Sequence, residues 1–242
     1  MDDSDYTKIH DMGDAMKWVS IVGDSISTYE GYNPKEYAVF YNQEKQRQNG
    51  LTSVCDTWWV KVNQAIGAQL CVNNSYSGSK VTGGSFPSAS SEKRLHNLHN
   101  SEQYPDLILF YIGFNDFGSG VPVERKMLHP DRDLQFFDQA YEYMISCVDK
   151  RYPKAKLVCG TLMRSKIESD VRWNFPEAYA GVKLEQYNHV IRKICKKKKC
   201  YLADLSSYNM RYETLDGSHP TKNGHSTIAN AWITSLSEMN LR

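Results

Sequence analysis

The sequence has no long apolar run. Nothing in its 242 residues approaches the ~20 consecutive apolar residues that a membrane-spanning helix needs. It also has almost no net charge: 29 basic and 28 acidic side chains leave +1, so composition gives no argument for a nucleic-acid or membrane partner. Cysteine is sparse. The six residues are Cys55, Cys71, Cys147, Cys159, Cys195 and Cys200, and no two form a C-x-x-C pair. A chain of this length does not depend on disulfide staples, so reduced thiols are expected, although Cys195 and Cys200 are close enough in sequence for a local bridge. No group of His or Cys has ligand spacing, and no metal site is expected. A Gly-x-Ser-x-Gly turn is missing, which disfavours an α/β-hydrolase. The glycine patterns of phosphate loops and dinucleotide folds are missing too. The first fifteen residues, "MDDSDYTKIHDMGDA", lack the basic start and apolar stretch of a secretory signal. The expectation is a cytoplasmic chain with residues 1–15 as a loosely ordered arm.

What is there reads as one globular domain over residues 1–242, with 40% hydrophobic and 24% charged residues. Short apolar runs alternate with segments of helical period. "KWVSIV", "QLCVNNSY", "PDLILFYIG", "AKLVCGTLM" and "CYLADLS" read as five strands. The third is continuously apolar, which suggests burial on both faces. "DTWWVKVNQAIG" reads as a helix with Asp56 as its cap and Gly67 as its stop. "DLQFFDQAYEYMISCVDKRY", "KLEQYNHVIRKICKK" and "GHSTIANAWITSLSEM" supply three more. This alternation predicts an α/β fold: a three-layer α/β/α sandwich around a central, mostly parallel five-stranded sheet, flavodoxin-like. Three long connections follow the strands. They are "STYEGYNPKEYAVFYNQEKQRQNGLTSV", "FGSGVPVERKMLHPDR" and "RSKIESDVRWNFPEAYAG", and connections of that length are more often functional than idle.

The carboxyl ends of the strands face one crevice in an open α/β sheet. Strand one ends in Gly23-Asp24-Ser25. Gly78 follows strand two, Asn115 and Asp116 follow strand three, and Asp216-x-x-His219 precedes the last helix. Ser25 taken alone reads as a helix cap, since serine after a strand is a common one. A serine nucleophile needs a base and a site for an oxyanion. His219 alone of the seven histidines has a carboxylate three residues earlier, and that spacing lets Asp216 fix its tautomer. Gly78 offers an unobstructed backbone N–H, Asn115 a side-chain donor, and Ser25 its own N–H. Asp24 and Asp116 read as structural residues that tie loops.

Those blocks, in this order and spacing, resemble the SGNH hydrolases, also called GDSL esterases. "GDSISTYEGYNP", "DTWW" and "NNSYSG" are similar to a bacterial esterase-like branch of that family. The resemblance covers nearly the whole chain from Lys17. It implies that Ser25 is the nucleophile, that Gly78 and Asn115 complete an oxyanion hole with Ser25, and that Asp216 and His219 finish a triad. It also implies that no metal or organic cofactor is needed. Block one departs from the family only in Ile26, where leucine is usual.

The expected function is a serine esterase acting through an acyl-enzyme on a small-molecule ester. A short acyl group, acetyl in particular, is expected on a polar and perhaps-carbohydrate alcohol. Two observations favour this. No long loop carries the apolar stripe of a lipase lid, and the mean hydropathy is −0.58. Tyr29, Tyr32, Trp59 and Trp173 are the candidate substrate-binding aromatics, with flat faces suited to sugar rings. An acyltransferase, a thioesterase or a lysophospholipase would use the same residues, and an inactive binding module on the same fold is the alternative of another class. Nothing in the sequence sets the oligomeric state.

Overall fold

In the computed structural model, residues 17–124 and 132–241 are described; the expected arm at residues 1–15 lies outside them. Five strands form the central sheet: β1 (Trp18–Gly23), β2 (Gln69–Asn73), β3 (Leu107–Tyr111), β4 (Lys156–Gly160) and β8 (Tyr201–Ala203). Their order is β2-β1-β3-β4-β8, and every neighbouring pair is parallel. The sheet is α/β and flavodoxin-like, as the alternation of elements predicts. Every side chain of β3 is buried, which accounts for its unbroken apolar run.

The helices are α1 (Gln43–Gln48), α2 (Trp58–Ala65), α3 (Glu92–His96), α4 (Phe114–Gly118), α5 (Phe137–Arg151), α6 (Leu184–Lys198) and α7 (Lys222–Glu238). Packing sorts the long ones into two layers. α2 lies on α7, and α5 lies on α6. The first layer is keyed by the rings of Trp58 and Trp232, stacked 5.5 Å apart at 13°. In the second, Phe137, Tyr141, Met144, Ile145 and Val148 of α5 are all buried, the stripe its 3.6-residue period demands. Asp56 does not cap α2, whose cap position is Thr57. It accepts hydrogen bonds from the Thr52 and Ser53 N–H groups instead and pairs with Lys222 at 3.0 Å.

Four more strands were not legible as such. β5 (Arg164–Ile167) opens the third long connection and pairs in parallel with β9 (Arg211–Thr214), outside the central sheet. β6 (Ala178–Tyr179) and β7 (Val182–Lys183) make a short antiparallel hairpin. β9 carries the alternation that could have revealed it, since Tyr212 and Thr214 are buried between more exposed neighbours.

All six cysteines are free, so Cys195 and Cys200 do not bridge. Three of them nonetheless gather in the fold. Cys159 of β4, Cys195 of α6 and Cys200 beside β8 bring their sulfurs within 4.8 Å of one another. Ligand spacing in sequence cannot reveal a group assembled from three separate elements. Among the described residues, no helix is long and apolar enough to cross a membrane.

Candidate active site

In the order β2-β1-β3, the chain leaves β1 toward one edge of the sheet and β3 toward the other. The crevice opens where those paths diverge, outside the carboxyl ends of β1 and β3. Ser25 follows β1 and Asn115 follows β3.

Residues 25–27 form a single 3-10 turn. Its cap is Asp24, whose Oδ1 accepts the Ile26 N–H at 3.1 Å. The capping work is therefore done by the aspartate, and the serine hydroxyl is released from it. Ser25 Oγ lies 3.0 Å from His219 Nε2, and His219 Nδ1 lies 2.8 Å from Asp216 Oδ2. A carboxylate can only accept, so Nδ1 carries the ring proton and Nε2 is left to accept from the Ser25 hydroxyl.

The Asp216–His219 turn is built locally. Asp216 Oδ1 accepts the N–H groups of Ser218 and His219 at 2.9 and 2.8 Å, which leaves Oδ2 for the imidazole. Partial burial would raise the Asp216 carboxyl. The His219 ring and backbone bonds, with the Ser218 N–H, outweigh it and hold the group well below the usual carboxylate range. Gly217 sits at φ +84°, and a β-carbon there would stand 2.7 Å from the Trp173 ring, so only glycine fits this turn. Its carbonyl accepts from Ser165 Oγ of β5 at 2.6 Å, and its N–H donates to Thr214 Oγ1 of β9 at 3.0 Å. The β5–β9 pair is thus the platform that carries the aspartate and histidine.

The loop after Ser25 returns to the same histidine. The Phe40 ring stacks on His219 with centroids 3.4 Å apart at 7°. Tyr41 Oη donates to the Pro220 carbonyl at 2.7 Å. Nothing in the sequence marks Phe40 as the residue that covers the imidazole face.

Gly78 lies at φ +79° and is exposed, and the Asn115 amide donates one N–H to the Ser79 carbonyl at 2.9 Å, leaving its second N–H. Asp116 is buried and accepts from the Val81 and Thr82 N–H groups and the Thr82 hydroxyl, so it ties this segment to α4. Arg94 was not singled out from the sequence. It is buried, and its guanidinium donates to the Gly23 carbonyl at 2.9 Å and to Ser79 Oγ at 2.7 Å. One side chain thereby fastens the end of β1 to the Gly78 segment. Beneath them, burial pushes the Asp24 carboxyl up to about 7, against the pull of the Ile26 N–H.

A cleft of about 220 Å³ opens over Ser25, Asn115 and His219. Phe114, Phe117, Trp173, Phe175, Tyr179 and Tyr212 supply its aromatic lining. Phe117 and Phe175 stack 5.6 Å apart at 8°. Of the four candidate substrate-binding aromatics, Trp173 is brought to this cleft. Tyr29, Tyr32 and Trp59 are not part of the lining. Trp59 is buried in the core with Tyr32 across its ring at 5.9 Å, and Tyr29 Oη hydrogen-bonds Gln46 Oε1. Trp59 follows Trp58 into α2 and is consumed by packing.

The GDSL-like Lipase/Acylhydrolase family model matches residues 17–236. The chain belongs to that family. Among solved structures, a candidate GDSL-like lipase from Bacteroides ovatus is similar at 26% identity and a TM-score of 0.72, over 93% of this chain and 100% of the other. Another from Bacteroides uniformis is similar at 27% identity and 0.68, over 92% and 96%. A family two carbohydrate esterase from Clostridium thermocellum shares the fold at 16% identity and 0.55, over 93% of this chain and 64% of that one. No curated protein matches the sequence.

Proposed function

We propose that this family member is a serine esterase that hydrolyses short acyl esters, acetyl in particular, of small polar alcohols, with carbohydrate alcohols the favoured class. The observation that carries the reading is the unbroken line Ser25 Oγ–His219 Nε2 and His219 Nδ1–Asp216 Oδ2, at 3.0 and 2.8 Å. In the first half-reaction His219 Nε2 takes the Ser25 proton as Oγ bonds to the ester carbonyl carbon. The carbonyl oxygen becomes an oxyanion facing the Ser25 and Gly78 N–H groups and the Asn115 amide. The bond to the alcohol oxygen then breaks, and His219 gives its proton to the departing alcohol. In the second half a water loses a proton to His219 and attacks the acyl carbon. The bond to Oγ breaks, the proton returns to Ser25, and the free acid leaves. Asp216 stays ionised throughout and holds the imidazolium in place.

Cleft size and lining support the short acyl group and the sugar. About 220 Å³ is smaller than the usual pocket for a drug-sized ligand, which favours a compact ester. Trp173 and Tyr179 present flat faces with polar edges. The test is kcat/KM over nitrophenyl esters from acetate to octanoate, beside acetylated sugars, for the native protein and Ser25→Ala. Acetate and acetylated sugars should lead, and Ser25→Ala should abolish turnover and labelling by a fluorophosphonate. A steady rise from acetate to octanoate, each buried CH₂ adding about 0.8 kcal/mol, overturns the short-acyl assignment. Near-native activity of Ser25→Ala overturns the nucleophile.

A further inference from the structure

Three cysteines play no part in the esterase reading, yet the fold gathers them. Cys159 lies on β4, Cys195 on the last turns of α6, and Cys200 between α6 and β8. Cys159 and Cys195 are buried and Cys200 is half-buried. Their sulfurs all lie within 4.8 Å of one another, and Cys159 Sγ is 4.0 Å from Cys200 Sγ. The turn that places Cys200 is fixed by its N–H, which donates to the Cys195 carbonyl at 3.2 Å.

We propose that Cys159, Cys195 and Cys200 form a binding site for one soft metal ion, and that their three-sulfur geometry suits monovalent copper. The reasoning is geometric first. With metal–sulfur bonds of about 2.3 Å, three sulfurs in a plane around one ion stand about 4.0 Å apart. One edge of the triangle already has that length, and closing the others needs movements under about 1 Å. Thiolate donors select soft ions such as Cu(I) and Zn(II). Zinc in a structural site wants four ligands in a tetrahedron, and among the described residues the group offers three. A monovalent d¹⁰ ion is satisfied by three.

A second observation points the same way. Tyr141 of α5 is fully buried, and its Oη meets no oxygen or nitrogen partner among the described residues, only the Cys159 thiol. A thiol is a poor acceptor for that hydroxyl, whereas a metal-bound thiolate is a good one. A metal-bound, charged cluster therefore gives that hydroxyl a stronger acceptor than the neutral thiols do. On binding, each coordinating S–H releases its proton to solvent.

The experiment uses the whole chain carrying Cys55→Ser and Cys147→Ser, which removes the two more accessible thiols outside the cluster. Reduced protein is titrated anaerobically with Cu(I) against a chromogenic Cu(I) chelator, and the ultraviolet thiolate-to-copper band is followed. One equivalent should be retained, three thiols should become protected from alkylation, and X-ray absorption should find three sulfur neighbours. Cys200→Ser should weaken retention at least 100-fold, while Cys71→Ser leaves it unchanged. X-ray absorption of the cluster-intact protein needs no cluster variant, so the site is tested even if Cys159→Ser fails to fold. Copper lost wholly to the chelator, or retained undiminished by Cys200→Ser, overturns the site. Retention of Zn(II) in preference, with a tetrahedral thiolate spectrum after Co(II) substitution, overturns the copper assignment.

Discussion

His225→Asn should change how the stability of this protein responds to acid. His225 lies on α7, fully buried, and its Nδ1 accepts the Trp58 N–H at 3.2 Å, one of the donors left open at the start of α2. An asparagine oxygen can take over that hydrogen bond but cannot be protonated in the accessible range. Burial, with Lys61 adding to it, pulls the imidazole down from 6.5 to about 3. The folded state therefore prefers the neutral ring. Its contribution is fully present above the unfolded pKa of 6.5 and is lost as pH falls toward 3, because the unfolded chain then binds a proton that the folded chain refuses. Each pH unit in that window is worth about 1.4 kcal/mol, so about 3 kcal/mol is forfeited by pH 4.5. Asp24 acts with the opposite sign. Its folded pKa is raised to about 7, so its contribution is present below 3.8 and lost as pH rises through 7. The two nearly cancel in the native protein between pH 4 and 6.5, which is why the comparison must be native against variant. Urea unfolding at pH 4.5, 5.5, 6.5 and 7.5 gives the difference directly. The native-minus-variant stability should grow by about 1.4 kcal/mol per unit from pH 4.5 to 6.5 and then level off. Parallel curves would refute a neutral, buried imidazole at this position.

Three further substitutions probe the site. Asn115→Ala should lower kcat by ~10²–10³ with KM nearly unchanged, because an oxyanion donor acts chiefly at the transition state; a pure KM effect would make Asn115 a substrate-binding residue. Asp216→Asn should leave the fold intact and lower kcat by ~10⁴, since an amide can hold the wrong imidazole tautomer; a loss under tenfold would remove Asp216 from the mechanism. Gly224→Ala should cost about 1–3 kcal/mol of stability by overpacking, because its methyl would overlap the Glu213 carbonyl on β9. The shift of β9 should also cost activity on the order of 10²-fold, the usual penalty for about 1 Å of misplacement, and a stable, fully active variant would show that β9 does not position the histidine.

The central sheet was legible because each of its strands is an apolar run between helices of clear period, and burial enforces that pattern. Trp58 reads as core and is core, stacked on Trp232. The β5–β9 pair was hidden because its strands are four residues each and half-exposed, so their hydrophobic signal is faint. Ser25, Asn115, Asp216 and His219 could be named because their chemistry is written in residue type and strand-end position. Phe40 and Arg94 could not, since stacking on an imidazole and bridging two loops depend on where distant segments fold. The same limit separated Trp173, which reaches the cleft, from Trp59, which α2 turns inward. It also concealed the three thiols.

The two halves of the site hang from supports of unequal strength. Ser25 follows β1, which is hydrogen-bonded by β2 on one side and β3 on the other. His219 follows β9, whose one full strand partner among the described residues is β5, with the single Thr214–Pro220 bridge on its other edge. Local opening free energies follow such differences in buried, paired backbone. Amide hydrogens of β1 therefore exchange only when the whole molecule opens, whereas those of β9 exchange through a smaller fluctuation. The Ser25 end of the site should outlast its His219 end. Under rising heat or denaturant, ester turnover fades while the Trp58–Trp232 stack still reports a folded core, and on return to mild conditions the histidine half re-docks onto a serine half that never came apart.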